Sequence, residues 1–157
     1  MTGWQTGRAH VELLIDKGWL EPVRASGDLA TRLLHESAAH LHTARAARDS
    51  DPTGALQLGY DAARKAAIAL LAAQGLRATT DGGHKATAEA AAAQFDGTFD
   101  RLDRMRRRRN DAEYPDVDTP DVTDDDAGDT IDAAQKMHDA ATALINSGKL
   151  GVFGASA

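Results

Sequence analysis

The sequence predicts an all-α protein, an up-and-down bundle of four or five antiparallel helices preceded by a short N-terminal helical arm. Three observations predict it. Alanine dominates the apolar residues and aromatics make up only 4% of the chain. Val, Ile and Thr are sparse, so intrinsic preference favours helix over strand. Apolar residues also recur at helical spacing in blocks separated by Gly and Pro.

Residues 1–27 read as an arm. His10–Leu20 holds Val11, Leu14 and Ile15 at helical spacing before Gly18 and Pro22 interrupt it, and Trp4, Trp19 and Leu20 are candidate anchors onto the main body. The body spans residues 28–147. Its first helix fits Asp28–Asp49, with Leu29, Leu33, Leu34, Leu41 and Ala44 in one stripe and Ser26 or Asp28 as cap. A turn over Asp49–Gly54 contains Pro52. The second helix fits Ala55–Gln74 and stops at Gly75. Leu76–Gly83 reads as a loop.

The third helix, His84–Gln94, is nearly all alanine on its apolar side and must pack closely. The fourth fits Thr98–Tyr114 and ends before Pro115. The last fits Asp124–Asn146, where Thr123 and Asp126 resemble a capping box. Residues 148–157 read as a flexible tail.

A length of 157 residues suits one domain with its own core. Cysteine is absent, which excludes disulfides, thiol catalysis and cysteine-rich zinc sites and suits a reducing compartment. No apolar run approaches the roughly 18 residues of a membrane span. Met1–Arg8 carries no hydrophobic targeting region, so the expected location is the cytoplasm. No metal or cofactor is expected. His40 and His42 lie two apart, on different helix faces, and make a poor metal pair. No phosphate-binding glycine loop or nucleophile elbow occurs.

Charge is the least ordinary feature. The formal net charge is −6, yet Arg101, Arg104, Arg106, Arg107, Arg108 and Arg109 put six arginines into nine residues. Ten acidic residues and no basic one follow within Asp111–Asp132. Guanidinium forks match phosphate geometry, so Arg104, Arg106, Arg107, Arg108 and Arg109 are candidate RNA or phosphate ligands. A solvated face neutralised by the neighbouring acids is the plainer alternative. Helical phase separates these residues. Arg109 falls within about 20° of Leu102, which with Phe95 and Phe99 defines the buried stripe, whereas Arg104, Arg107 and Arg108 point outward. An arginine in phase with a core needs a partner, such as Glu113 or a ligand at a cleft.

Arg109-Asn110-Asp111-Ala112-Glu113-Tyr114 resembles the signature of the HEPN family (higher eukaryotes and prokaryotes nucleotide-binding), in which an Arg, often followed by Asn, precedes a His with four to six residues between them. Leu102–Arg108 resembles the family's basic penultimate helix. Tyr60–Ala66 with Leu70–Arg77 resembles its second helix and exit loop. The style is similar to actinobacterial members.

The resemblance implies a helical bundle, a homodimer in which two motifs share a cleft, and a toxin–antitoxin or defence setting. In active members Arg and His cleave RNA without metal. Carried over, Arg109 and Asn110 match the motif, and Tyr114 stands where the His should be. Tyrosine has an unperturbed pKa near 10 and is a poor base at neutral pH. The expectation is therefore RNA or nucleotide binding, or a partner role, without catalysis. The alternative is a metal-independent endoribonuclease using Arg109, Asn110 and Tyr114. A nucleotidyltransferase or other operon-encoded antitoxin is an implied partner, with Tyr114 as the AMP acceptor. Among the other histidines His84 stands out, because the Gly82-Gly83-His84-Lys85 turn is able to face a ligand.

Overall fold

The computed structural model describes Trp4, residues 6–95 and residues 97–153. The parts of the arm and tail at residues 1–3, 5 and 154–157 lie outside the described residues. The element order is α1 (Arg8–Asp16), β1 (Leu20–Pro22), α2 (Gly27–Ala47), α3 (Pro52–Gln74), β2 (Leu76–Ala78), α4 (Gly83–Gln94), α5 (Leu102–Glu113) and α6 (Asp124–Asn146). The fold is all-α, with two three-residue strands as its only sheet among the described residues.

Local chemistry sets the helix ends. Ser26 Oγ accepts from the Leu29 amide at 3.1 Å and starts α2. Asp51 accepts from the Gly54 amide and starts α3 with Pro52 in its first turn, three residues earlier than the sequence suggests. A proline breaks a helix interior but fits its first position, where no amide bond is lost. Thr123 and Asp126 form a reciprocal capping box at α6.

Helix α3 is the central rod. It buries thirteen residues, seven of them alanine, and packs against α2, α4, α5 and α6. Small side chains allow that many neighbours. A Cβ on Gly59 would already sit 3.1 Å from Thr130 Cγ2 of α6. The alanine faces of α3 and α4 are consumed inside the chain, with Ala62, Ala63, Ala66, Ala86, Ala90 and Ala91 all fully buried. Filled within one chain, these faces give no reason of their own to expect a second copy.

The arm is built into the body. Val11 and Leu14 of α1 and Leu20 of β1 form a second apolar cluster with Leu71, Leu76, Ala86 and Ala90. Strand β1 pairs antiparallel with β2, Leu20 opposite Ala78 and Pro22 opposite Leu76. Arg77 and Glu21 face each other across this ladder and form a salt bridge at 2.6 Å. The segment from Leu76 was expected to be loop. Two three-residue strands carry no periodic signal, and their pairing joins residues more than fifty positions apart. The tail is also packed where it is described: the Phe153 amide donates to Gln74 O at 2.7 Å, and the Phe153 ring meets Trp4 edge-on at 5.7 Å.

Candidate functional site

Helix α5 begins at Leu102 rather than Thr98. Phe99 is fully buried in the turn before it, and the Leu102 amide donates to Phe99 O. Leu102 and Met105 follow as the buried face of α5. Arg109 is next in that stripe, as the helical phase predicts. Its side chain is only 27% exposed and reaches Glu113 at a long 3.9 Å. Its Nε is buried and has no hydrogen-bond partner.

The other arginines divide by what they touch. Arg106 is 21% exposed, with Nε 2.9 Å from Asp103 one turn back. Arg107 shares that carboxylate at 3.5 Å but is 66% exposed. Arg104 is exposed and has no ion pair among the described residues. Arg108 was expected to point outward, yet it is 27% exposed and lies 3.5 Å from Asp126 Oδ2, because the start of α6 comes over it. Asp124 and Asp125 pair with Arg48 instead. The acidic segment therefore engages α5 through Arg108, not as a general screen.

Of the remaining motif positions, Asn110 is half-buried, and its carbonyl accepts from the Tyr114 amide at 2.9 Å. Tyr114 lies past the helix end and is 78% exposed. Arg109 thus turns into the molecule and the Tyr114 side chain turns to solvent.

The charge of Arg109 acts on residues of two other helices, Tyr60 of α3 and His84 of α4. Tyr60 of α3 is buried, and its hydroxyl lies 3.1 Å from His84 Nδ1 at the start of α4. Burial pushes the Tyr60 phenol up to about 12 against the opposing pull of Arg64, Arg106 and Arg109. The phenol is therefore protonated, and a buried O–H must donate. It donates to Nδ1, which leaves the ring proton of neutral His84 on Nε2. Burial holds the His84 pKa below its ordinary value, and the guanidiniums of Arg64 and Arg109 lower it further.

Two glycines position this histidine. A Cβ on Gly82 would run into Trp19 O, and Gly83 has φ 53°, in the left-handed region. Arg64 comes from α3, one turn after Tyr60. Its Nε is buried without a hydrogen bond and lies 3.6 Å from Asp61 Oδ1.

Three guanidiniums, Arg64, Arg106 and Arg109, thus act on one neutral imidazole. Such a cluster attracts an oxyanion, and the Nε2–H of His84 can donate a hydrogen bond to it. Sequence reasoning noticed His84 but missed Arg64 and Tyr60 as members. The available signal was their i, i+4 spacing on an otherwise alanine-rich helix.

Among the described residues no group of three or more His, Asp or Glu side chains is placed to hold a metal. His40 instead contacts Lys65 Nζ at 2.8 Å. No described helix is long and apolar enough to cross a membrane.

No curated protein and no solved structure gives a significant match to the chain. A family model described as the HEPN domain matches residues 30–144, from early α2 to the last turn of α6. That is well over half of the chain and includes every residue of the cluster around His84, so the chain belongs to the HEPN-domain family.

Proposed function

We propose that this HEPN domain binds the phosphates of RNA or of a nucleotide, as a non-catalytic member of a toxin–antitoxin or defence-type system. The observation that carries this reading is that Arg64 and Arg109 each hold a buried Nε without a hydrogen bond, while the charges of Arg64, Arg106 and Arg109 all disfavour protonation of His84. A phosphate can use donors that the chain leaves idle. The exposed Arg104 and Arg107 extend the positive surface along α5. Fluorescence anisotropy with a labelled single-stranded RNA tests this. Binding should weaken steeply with salt and should depend on Arg109. Salt-independent binding, or none, overturns the proposal.

A second reading, a metal-independent endoribonuclease, is favoured by one observation: the charge of Arg109 acts on an imidazole, that of His84, although Tyr114 occupies the motif position. The His84 Nε2–H would then donate a hydrogen bond to the phosphate beside Arg109, and the 2′-hydroxyl proton would leave to solvent. Incubation with total RNA in EDTA separates the two readings. Cleavage lost in both Arg109→Ala and His84→Ala supports the enzyme, and intact RNA at high protein concentration removes it.

The same reading includes a homodimer with Arg109 and Tyr114 near its two-fold axis, and AMP transfer to Tyr114 by a partner nucleotidyltransferase. The 78% exposure of Tyr114 supports access by such a partner. Intact mass after co-expression with the neighbouring gene tests the modification.

A further inference from the structure

A cavity of about 520 Å³ opens between α2, α3, α4 and the β1–β2 ladder. That volume falls within the range of small-ligand sites, which is about 300–1,000 Å³. Leu29, Ile68, Leu71 and Leu76 form its apolar wall, and Leu29 is 45% exposed although it is a leucine. The polar part of the lining is one-sided in charge. Arg24, Arg64, Arg77 and His84 contribute, and no carboxylate does. That is notable in a chain of net charge −6.

Arg77 is tied to Glu21. Arg24 makes no ion pair among the described residues, and Arg64 has a buried Nε without a hydrogen bond. His84 has Nδ1 committed to Tyr60, so only its Nε2 remains free for a ligand.

We propose that this cavity binds a small amphipathic anion, with an aliphatic body against Leu29, Ile68, Leu71 and Leu76 and a carboxylate or phosphate head between Arg24, Arg64 and His84. The chemistry selects this class. Guanidinium forks grip both kinds of head, Arg24 has no ion pair among the described residues, and Arg64 has only a long 3.6 Å contact to Asp61. The wall contains leucine, isoleucine, valine and alanine but no aromatic ring apart from His84. Flat heteroaromatic bodies are held by stacking on aromatic faces, whereas an aliphatic body needs only apolar area. Arg64 and His84 belong both to this cavity and to the cluster around Arg109. An occupant therefore competes with RNA phosphate for two of the same side chains, although the site does not depend on RNA being the other ligand.

Methyl-resolved NMR on the full chain tests the site with octanoate, octyl phosphate, octanol and AMP as probes. Octanoate, octyl phosphate or both should shift the methyls of Leu29, Ile68, Leu71 and Leu76 saturably, and the two arms show which head is preferred. Arg64→Gln should weaken binding about tenfold, the loss of one hydrogen bond to a charged group. Ile68→Trp, which fills the cavity, should abolish it. If Arg64→Gln perturbs folding, Arg24→Gln on the exposed rim replaces it and should weaken binding in the same direction. Four outcomes overturn the proposal: no saturable shift with either anion, an equal response to octanol, a response to AMP alone, or a second copy of the chain covering the cavity, seen as a doubled mass with these methyls protected.

Discussion

The Tyr60 hydroxyl and His84 Nδ1 lie 3.1 Å apart, joining the central helix α3 to the first turn of α4. This bond fixes the tautomer and orientation of an imidazole on which the charges of Arg64 and Arg109 both act. It makes the histidine, which sequence order separates from the motif by more than twenty residues, part of the same charged cluster.

Tyr60→Phe keeps the ring and removes the donor. The loss of one net hydrogen bond should cost about 1 kcal/mol. A hydrogen bond given to the neutral imidazole disfavours protonation, so the His84 pKa should rise in the variant. Denaturant unfolding and an NMR titration of His84 check both. An unchanged His84 titration would show that the phenol does not donate to Nδ1.

Acid should destabilise the fold before its carboxylates titrate. Burial is the first cause that lowers the pKa of His40, His84 and His138 from 6.5. His138 faces Ser37, whose Oγ lies 3.0 Å from Nδ1, and Asp139, which opposes the shift. His40 faces Lys65, Glu36, Asp61 and Arg64. His84 faces Tyr60, Arg64, Arg109, Arg106 and Asp61. Below 6.5 the unfolded chain binds more protons than the folded one, so the stability present above that value is lost as pH falls toward the folded pKa values. Thermal midpoints should drop between pH 7 and about pH 5.5. His138→Gln should flatten that slope. A flat profile in the parent protein would contradict the burial of these rings.

Arg109→Ala should lower RNA affinity and reduce the salt slope by about one, with helicity retained because alanine is the strongest helix former. Arg107→Ala, on the exposed side, should change affinity less. If Arg109→Ala unfolds the protein while Arg107→Ala does not, Arg109 is a structural residue and the phosphate site moves elsewhere.

Asp126→Asn separates capping from charge. Asp126 accepts from the Thr123 amide at 2.9 Å and also meets Arg108, and asparagine retains the acceptor. Helix α6 should therefore survive with little loss, and Arg108 should become available. A partly exposed ion pair contributes up to about 1 kcal/mol, so RNA binding at low salt should strengthen about two- to threefold. Unchanged or weaker binding would mean that Arg108 does not take part.

Light scattering during size exclusion addresses the homodimer. A mass of twice 16.6 kDa, sensitive to ionic strength, is expected. The reason is the charge at Arg109, which would approach its symmetry mate and require an anion or the carboxylates of Asp111 and Glu113 between them. A constant 16.6 kDa over a wide concentration range removes the shared cleft.

The sequence by itself determined the helices and which way the arginine helix turns. Alanine content, the Thr123–Asp126 cap and the stripe through Leu102 are local, and helical geometry converts them directly into faces. That reasoning placed Arg109 inward and Arg107 outward before any packing was known. Tertiary structure decided the rest. The pairing of Leu20–Pro22 with Leu76–Ala78 joins distant short segments that have no period of their own. Arg108 is partly covered because the segment of residues 121–126 at the start of α6 reaches it, and periodicity within one helix contains no information about its neighbour. The grouping of Tyr60, Arg64 and His84 with Arg109 likewise depends on how α3, α4 and α5 cross, which is set by alanine-sized contacts between helices and not by any motif in the chain.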